Sequence, residues 1–480
     1  MMSLLALIPG LLLPAFGGWM ALRLLEGHSP VLLRWERWLL GCMLGLAYGM
    51  FLVFLGQITI GLPFTLLSFL GVFILGDCVL LMLFLRAPLP WNAGEIAVAP
   101  SHPLSKSAKI IIGVLLAWIV LKTAVAAGTF LLLVPTFLDD TLDNWNLRGK
   151  VFYETTQLTL VLPNEDPATS PLGVSAYPPS LPMMKAWLAD LAGGWSDPLV
   201  NSIHVLWYVA SLVLVFAALR RRLSFAWAIS GTYVLASLPL FLMHGTNTYA
   251  DCFMAAHVFA AVSMLFAGFS ETQEERRRSF LRIGALALGI LPFIKNEGLI
   301  VYLPPLLLLS VLSVAVLHRK REMDTRAAFR SLLTLLLPLI LVAVPWLLFK
   351  WSHGLSFGNA KPFSSFNIGW QPNVLFAMTV NTVFEGNWLL LFPFFFALLL
   401  WRWKKAFTSF SFLTLFFLIV YVGQAMLYLF TSLSIEALKQ TGYARGLIHL
   451  VPTVVFLTVL LLHEVAPPFL AALRSSKANP

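Results

Sequence analysis

Charge is scarce in this sequence: Asp, Glu, Lys and Arg make up 11% of its 480 residues, against roughly a quarter in ordinary soluble domains. A water-facing surface cannot be built from so few charged side chains. With 59% hydrophobic residues and a mean hydropathy of +0.85, the solvent of this chain is the lipid bilayer. Cysteine is nearly absent. Cys42, Cys78 and Cys252 lie in or beside apolar stretches without paired spacing, which excludes a disulfide framework or a cysteine zinc site and marks them as small core residues. No internal repeat of fixed period and no low-complexity segment is present. No basic region precedes the apolar N-terminus, so the residues from Leu4 onward are expected to form a first span rather than a cleaved signal.

What is abundant is apolar length. Runs of about twenty residues, long enough for a hydrocarbon core of roughly 30 Å, cover about 3–25, 37–57, 62–86, 109–134, 199–219, 224–243, 251–269, 279–294, 298–317, 327–349, 387–403, 408–430 and 444–464. The expected fold class is therefore an all-α polytopic membrane protein of about thirteen transmembrane helices, one domain over 1–480, with no room for a sizeable soluble domain.

The net charge of +10 comes from short basic clusters between spans, including Arg220-Arg221-Arg222, Arg276-Arg277-Arg278 and Arg319-Lys320-Arg321. That is the positive-inside pattern, not the single basic face of a nucleic-acid protein, so no nucleic acid partner is expected. With thirteen spans, the loops at Arg34/Arg37, Lys106/Lys109, Arg220, Arg276, Arg319 and Arg402/Lys404/Lys405 and the tail at Arg474/Lys477 all fall on one side. Parity then places the N-terminus, the segment 135–198 and the loop 351–386 on the opposite, outer face.

The 135–198 loop is the long acidic stretch, with Asp139, Asp140, Asp143, Glu154, Glu165, Asp166, Asp190 and Asp197. A helical register from Asp140 to about Leu160 sets Leu142, Trp145 and Phe152 beside charges, which predicts an interfacial helix. A second helix is predicted from Pro179 through Leu181, Met184, Trp187 and Leu191 to Gly193-Gly194, with proline at its start and glycine at its end.

Phe137-Leu138-Asp139-Asp140 puts two adjacent carboxylates where a span emerges. A carboxylate in hydrogen-bond reach of an acceptor hydroxyl can take its proton during glycosyl transfer; the plainer alternative is an acid-decorated helix end. In this context the chain resembles the GT-C class of polyprenyl-phosphate-sugar glycosyltransferases of bacterial type, the superfamily of protein O-mannosyltransferases and aminoarabinose transferases. The run Asp139-Asp140-Thr141-Leu142-Asp143-Asn144-Trp145, then Lys150, then Tyr177-Pro178-Pro179-Ser180-Leu181-Pro182 matches the first outer loop of that class. Further matches follow at later outer ends: Tyr249-Ala250-Asp251, Lys295-Asn296-Glu297-Gly298, and Arg445 with His449 and Pro452.

The resemblance implies a donor sugar on an isoprenoid phosphate, membrane lipid around its tail, and a saccharide, lipid or protein acceptor. It implies inversion with Asp139 as base and Asp140 next in line, and Glu154 or Asp251 to be considered after them. Departure of the lipid phosphate calls for cations in a partly dry site; Lys295 and Arg445 come first, His244 and His449 behind them, with Glu297, Asp251, Tyr177 and Lys150 completing the substrate-binding set. Lys295 with Glu297 also reads as a structural ion-paired turn, and Arg445 as an interfacial anchor. The resemblance further implies a bacterial inner membrane with the site on the periplasmic or extracellular face.

His244, Asn247 and Asp251 form an oxygen-and-nitrogen set open to a divalent cation, although their spacing matches no strong ligand motif and substrate hydrogen bonding or helix capping is the preferred reading. The sequence names no definite cofactor, and a divalent cation stays open as one. His257, deeper in its span, reads as a core histidine. Trp145, Trp187, Trp195, Trp351, Phe357, Phe363, Phe366 and Trp370 read first as interfacial belts and second as sugar-stacking platforms, with Lys350 and Lys361 beside the later ones. Two other functions fit the membrane architecture: a transporter or flippase, whose ionisable residues sit near the midplane of two repeated halves, and a surface-polysaccharide polymerase or ligase, whose key residues lie in a large late loop.

Overall fold

The computed structural model describes residues 2–89, 105–162, 173–357 and 368–476. Glu165, Asp166, Lys361, Phe363 and Phe366 lie outside the described residues. Within them the chain is helices and turns without a β-strand, an all-α polytopic membrane fold. The helices are α1 (Leu7–Glu26), α2 (Arg34–Ile60), α3 (Leu66–Arg86), α4 (Lys106–Ala127), α5 (Asn146–Thr155), α6 (Ser180–Ala192), α7 (Asp197–Asn201), α8 (Ile203–Arg220), α9 (Phe225–Ser237), α10 (Pro239–Gly245) and α11 (Asp251–Ser270). They continue with α12 (Glu274–Gly289), α13 (Leu291–Ile294), α14 (Leu303–Arg319), α15 (Thr325–Ser352), α16 (Val374–Val383), α17 (Leu391–Trp401), α18 (Trp403–Phe407), α19 (Ser411–Phe430), α20 (Ser434–Leu438) and α21 (Gly442–Ser476).

Ten helical stretches among the described residues are long and apolar enough to cross a membrane, and the bent pair α9 and α10, angled by 77° across the break at Leu238, makes up to eleven. The chain is thus a multi-pass integral membrane protein. The other two expected crossings fall on shorter pieces: α12 with α13 after a break at Ile290, and the 11-residue α17. In α12 the first turn carries Glu274 and Glu275, so charge rather than apolar sequence shortens that stretch.

The chain gathers into two compact units: Met1–Ile96, Leu121–Ser211 and Met243–Asn367 form one, and Ala97–Val120, Leu212–Leu242 and Ile368–Pro480 the other. In the first, α11 is buried on every side, with Ala255, Ala256, Ala260 and Ala261 at 0% exposure, as expected of a helix apolar all round. By contrast α3 and α15 present Leu67, Ile74, Leu75, Leu337, Ile340 and Leu341 outward, the side chains that lipid tails solvate. In the second unit α21 is the buried helix. Val459 packs on Gly231 of α9, and the rings of Phe395 and Phe417 meet edge to face at 4.9 Å.

The first unit has two polar ends. At one, Glu26 accepts from the backbone N–H of Val31 and Leu32 and from Arg37 Nε, each at 2.7 Å, while its own carbonyl accepts from Ser279. Arg277 donates to the carbonyls of Glu271 and Glu322, gathering the ends of α1, α11 and α14 with the starts of α2 and α12. At the other end the loop helices of 136–201 meet the starts of α1 and α11 and the last turn of α15.

Helices α1 and α2 approach through glycine, because small residues let backbones pack closely where lipid offers no hydrophobic drive. A Cβ at Gly18 would lie 1.9 Å from the Gly41 carbonyl oxygen, and one at Gly45 would lie 2.0 Å from that of Pro14. Gly18→Leu is therefore expected to force the pair apart, costing at least the roughly 1–3 kcal/mol of core overpacking. Thermal unfolding in detergent checks it against Gly71→Leu, where a Cβ meets nothing within 4 Å; equal melting of the two variants would remove the close crossing.

Candidate active site

Helix α11 starts at Asp251, whose carboxylate sits in the first turn where the helix dipole favours negative charge. The side chain is fully buried. Its Oδ1 accepts from Lys295 Nζ at 2.9 Å and its Oδ2 faces His244 Nδ1 at 3.0 Å. Lys295 follows the short α13 in an extended conformation, φ −158° and ψ 154°, which ends the helix and frees its side chain to turn back to Asp251. The same ammonium lies 3.1 Å from Glu297 Oε1. His244 stacks on Tyr249 at 4.2 Å, and the Tyr249 carbonyl lies 3.0 Å from His204 Nδ1.

Next to Lys295, Asn296 donates to the Ala176 carbonyl at 3.2 Å and accepts from Lys350 Nζ at 3.3 Å. Lys350 also donates to Ala176 O and lies 5.0 Å from the ring centres of both Trp346 and Phe357. Arg148 donates to the Tyr177 carbonyl at 2.9 Å. Consecutive carbonyls are thus gripped by two cations and an amide. The reason is local: Tyr177 precedes Pro178-Pro179 and is held extended at φ −74° and ψ 147°, so the carbonyls of Ala176 and Tyr177 lie between the end of the 3-10 turn Val174–Ala176 and the start of α6.

Lys185, on α6, is buried at 0% exposure and donates to Asn146 Oδ1 at 2.5 Å and Asn201 Oδ1 at 3.0 Å. Burial lowers its ammonium to about 7, against a smaller upward pull from Asp197. One turn along the same helix, burial raises the Asp190 carboxyl to about 7.

The predicted residues divide. Asp251, His244, Lys295, Glu297 and Tyr177 come together in this cluster. Asp139 is exposed and accepts the Asp140 backbone N–H at 2.8 Å; Asp140 is half-buried. Two residues on, Thr141 bonds to Thr248, which ties the acidic pair to the turn before Asp251. Lys150 is exposed and lies 3.8 Å from Glu154 one turn away, because α5 turns Arg148, not Lys150, inward. Arg445, half-buried, and His449, buried, stand on α21 in the second unit.

Asn247 donates to the Met243 carbonyl at 2.9 Å, and both Asp251 oxygens face nitrogen partners, so the trio considered for a cation is arranged as a hydrogen-bonded turn. Among the described residues no group of three or more His, Cys, Asp or Glu is placed to hold a metal. His257 is a core histidine, its Nδ1 2.8 Å from the Phe253 carbonyl.

Three expectations change. Trp187 is not interfacial: it is fully buried, donates to Gly10 O at 3.1 Å and packs on Phe69 and Phe73. Trp145 is buried too, against Tyr177. Cys78 is exposed on α3, not core, because that helix faces outward over most of its length. Trp351 and Trp370 are exposed at 83% and 59%, as an interfacial belt requires.

Arg148 and Lys185 had not been singled out. The available signal was a lone lysine inside the otherwise apolar Ser180–Leu188 stretch and an arginine on the Trp145 side of the acidic loop.

This arrangement of apolar spans, short loop helices and a polar cluster at one end of the first unit is an all-α membrane fold with a counterpart among solved structures. The chain is similar to the crystal structure of ArnT from Cupriavidus metallidurans in the apo state, at a TM-score of 0.50 and 14% identity over 76% of this chain. It spans 62% of the length of that ArnT chain. No family model and no curated protein matches it.

Proposed function

We propose that the protein is a glycosyltransferase that moves a sugar from a polyprenyl-phosphate-linked donor to an acceptor at the outer face of a bacterial inner membrane. The observation that carries the reading is a charge imbalance. At the loop end of the first unit Arg148, Lys295 and Lys350 are buried, against the buried Asp251 and the half-buried Glu297 beside Lys295. Cations held in fixed positions in a partly dry site suit the phosphate of such a donor. The basic opposite end, with Arg277 and the neighbouring arginines, is the cytoplasmic one.

In the proposed step the acceptor oxygen attacks the anomeric carbon with inversion, and its proton passes to Asp139. The bond from that carbon to the phosphate oxygen breaks, and the lipid phosphate leaves with the electron pair. Charge grows on the phosphate as it leaves, and preorganised cations in a dry site stabilise that growth. Arg148 keeps its charge at any working pH, while the Lys295 ammonium is anchored by Asp251.

Purified protein given radiolabelled polyprenyl-phosphate sugars and membrane extract tests the reading. Label is expected to move from one donor, with the product anomer opposite to the donor's. No transfer from any donor by folded protein would put the transporter reading first.

A further inference from the structure

The acidic pair opens the helical stretch that runs into α5, and the chain before it is irregular. After the π-helical turn Gly128–Leu133, residues 134–138 are bent or extended, whereas Asp139 and Asp140 are already helical and lead through a second π-helical turn, Thr141–Trp145, into α5. Lys185 reaches both ends of this stretch. At one end its Nζ donates to Asn146, the first residue of α5. At the other it donates to Asn201 Oδ1, whose Nδ2 donates to Thr136 Oγ1 at 3.1 Å. Thr136 passes its own hydroxyl hydrogen to Asp197 Oδ2 at 2.9 Å, and the other oxygen of Asp197 accepts from Trp195 Nε1 at 2.7 Å. Lys185, Asn146 and Asn201 are 0%, 6% and 3% exposed, so water does not compete for these bonds.

We propose that Lys185 is a positioning residue that fastens the two ends of segment 136–146 and so presents Asp139 and Asp140 to the acceptor. The proposal rests on the glycosyltransferase reading for its catalytic consequence only. An ammonium suits this place because it offers several donors from one atom and has no acceptor of its own, and it can serve two amide oxygens on different helices at once. Thr141, tied to Thr248 in the middle of the segment, then anchors a loop already closed at its ends. Neither Lys185 nor Thr136 needs to touch a substrate for the loss of either to matter, since misplacement by about 1 Å can cost about 10²-fold in rate.

The test compares wild type with Lys185→Met and Thr136→Val in the full-length protein in nanodiscs. The second variant cuts the network at its far end without altering the buried lysine, and decides the matter if the first fails to fold. Amide hydrogen exchange over 136–146 is expected to accelerate by about tenfold or more in both, with α11 unchanged, as for a locally opened unit. Transfer is expected to lose about 10²-fold in kcat with donor KM within about twofold. Unchanged exchange in both variants overturns the proposal, and a rise in donor KM at constant kcat would make Lys185 a donor-binding group instead. Wild type that transfers from no donor would sink the glycosyltransferase reading and leave the exchange result to judge the loop staple alone.

Discussion

Asp139→Asn is expected to lower sugar transfer by about 10²–10⁴-fold, the range over which a positioned acid or base contributes, while the protein still inserts and folds. The structure separates these two effects. Asp139 is exposed and, among the described residues, accepts the backbone N–H of its neighbour at 2.8 Å, a bond that the amide oxygen of Asn can also accept. Its removal therefore leaves no buried group unsatisfied, and the loss should lie in kcat. Single-turnover transfer from the donor that wild type uses is the measurement. Unimpaired turnover would move the base elsewhere, first to Asp140, which is half-buried beside it and which the same assay on Asp140→Asn would examine.

Asp251→Ala should instead strike stability. It would leave the Lys295 ammonium, 3% exposed, without its buried carboxylate and His244, 4% exposed, without its imidazole partner. Removing one member of a buried pair costs about 3–5 kcal/mol because the other charge stays desolvated, a large part of the about 5–15 kcal/mol that holds a domain folded. A lower melting temperature in detergent is expected. The double variant Asp251→Asn with Lys295→Met should recover much of the loss, since replacing both members by uncharged groups removes the stranded charge. A single variant that melts with wild type would show that the cluster is not buried in the folded protein, and would weaken the charge imbalance on which the donor reading stands.

Much of the architecture was legible in residue order. Apolar runs of about twenty residues identify spans because a bilayer accepts few other backbones: ten of the expected crossings fall on helices long enough to span, one on the bent pair α9 and α10, and two on shorter helices. The loop helix from Pro179 to Gly193 is equally clear, since proline stands at its start and glycine just past its end, as the chemistry of helix termini demands: α6 runs Ser180–Ala192 and its cap Gly193 has φ 70°. The pairing of Lys295 with Glu297 is a local feature, and so was readable from a four-residue turn. Lys150 misled because its neighbourhood looked right, while which side of α5 faces inward depends on α6, not on α5 alone.

Residue order alone establishes a multi-pass helical membrane protein with short basic clusters between its spans and one long acidic segment that carries candidate carboxylates. Composition, run length and charge placement are set residue by residue, and the bilayer imposes them on any chain of this kind. Only the tertiary structure decided that Asp251 binds Lys295 across 44 positions, that Lys350 reaches Ala176 across 174, and that Lys185 joins Asn146 to Asn201. Such contacts depend on which helices pack together and how each is rotated about its axis, and that is chosen by close-packed side chains acting collectively, not by any single stretch of residues.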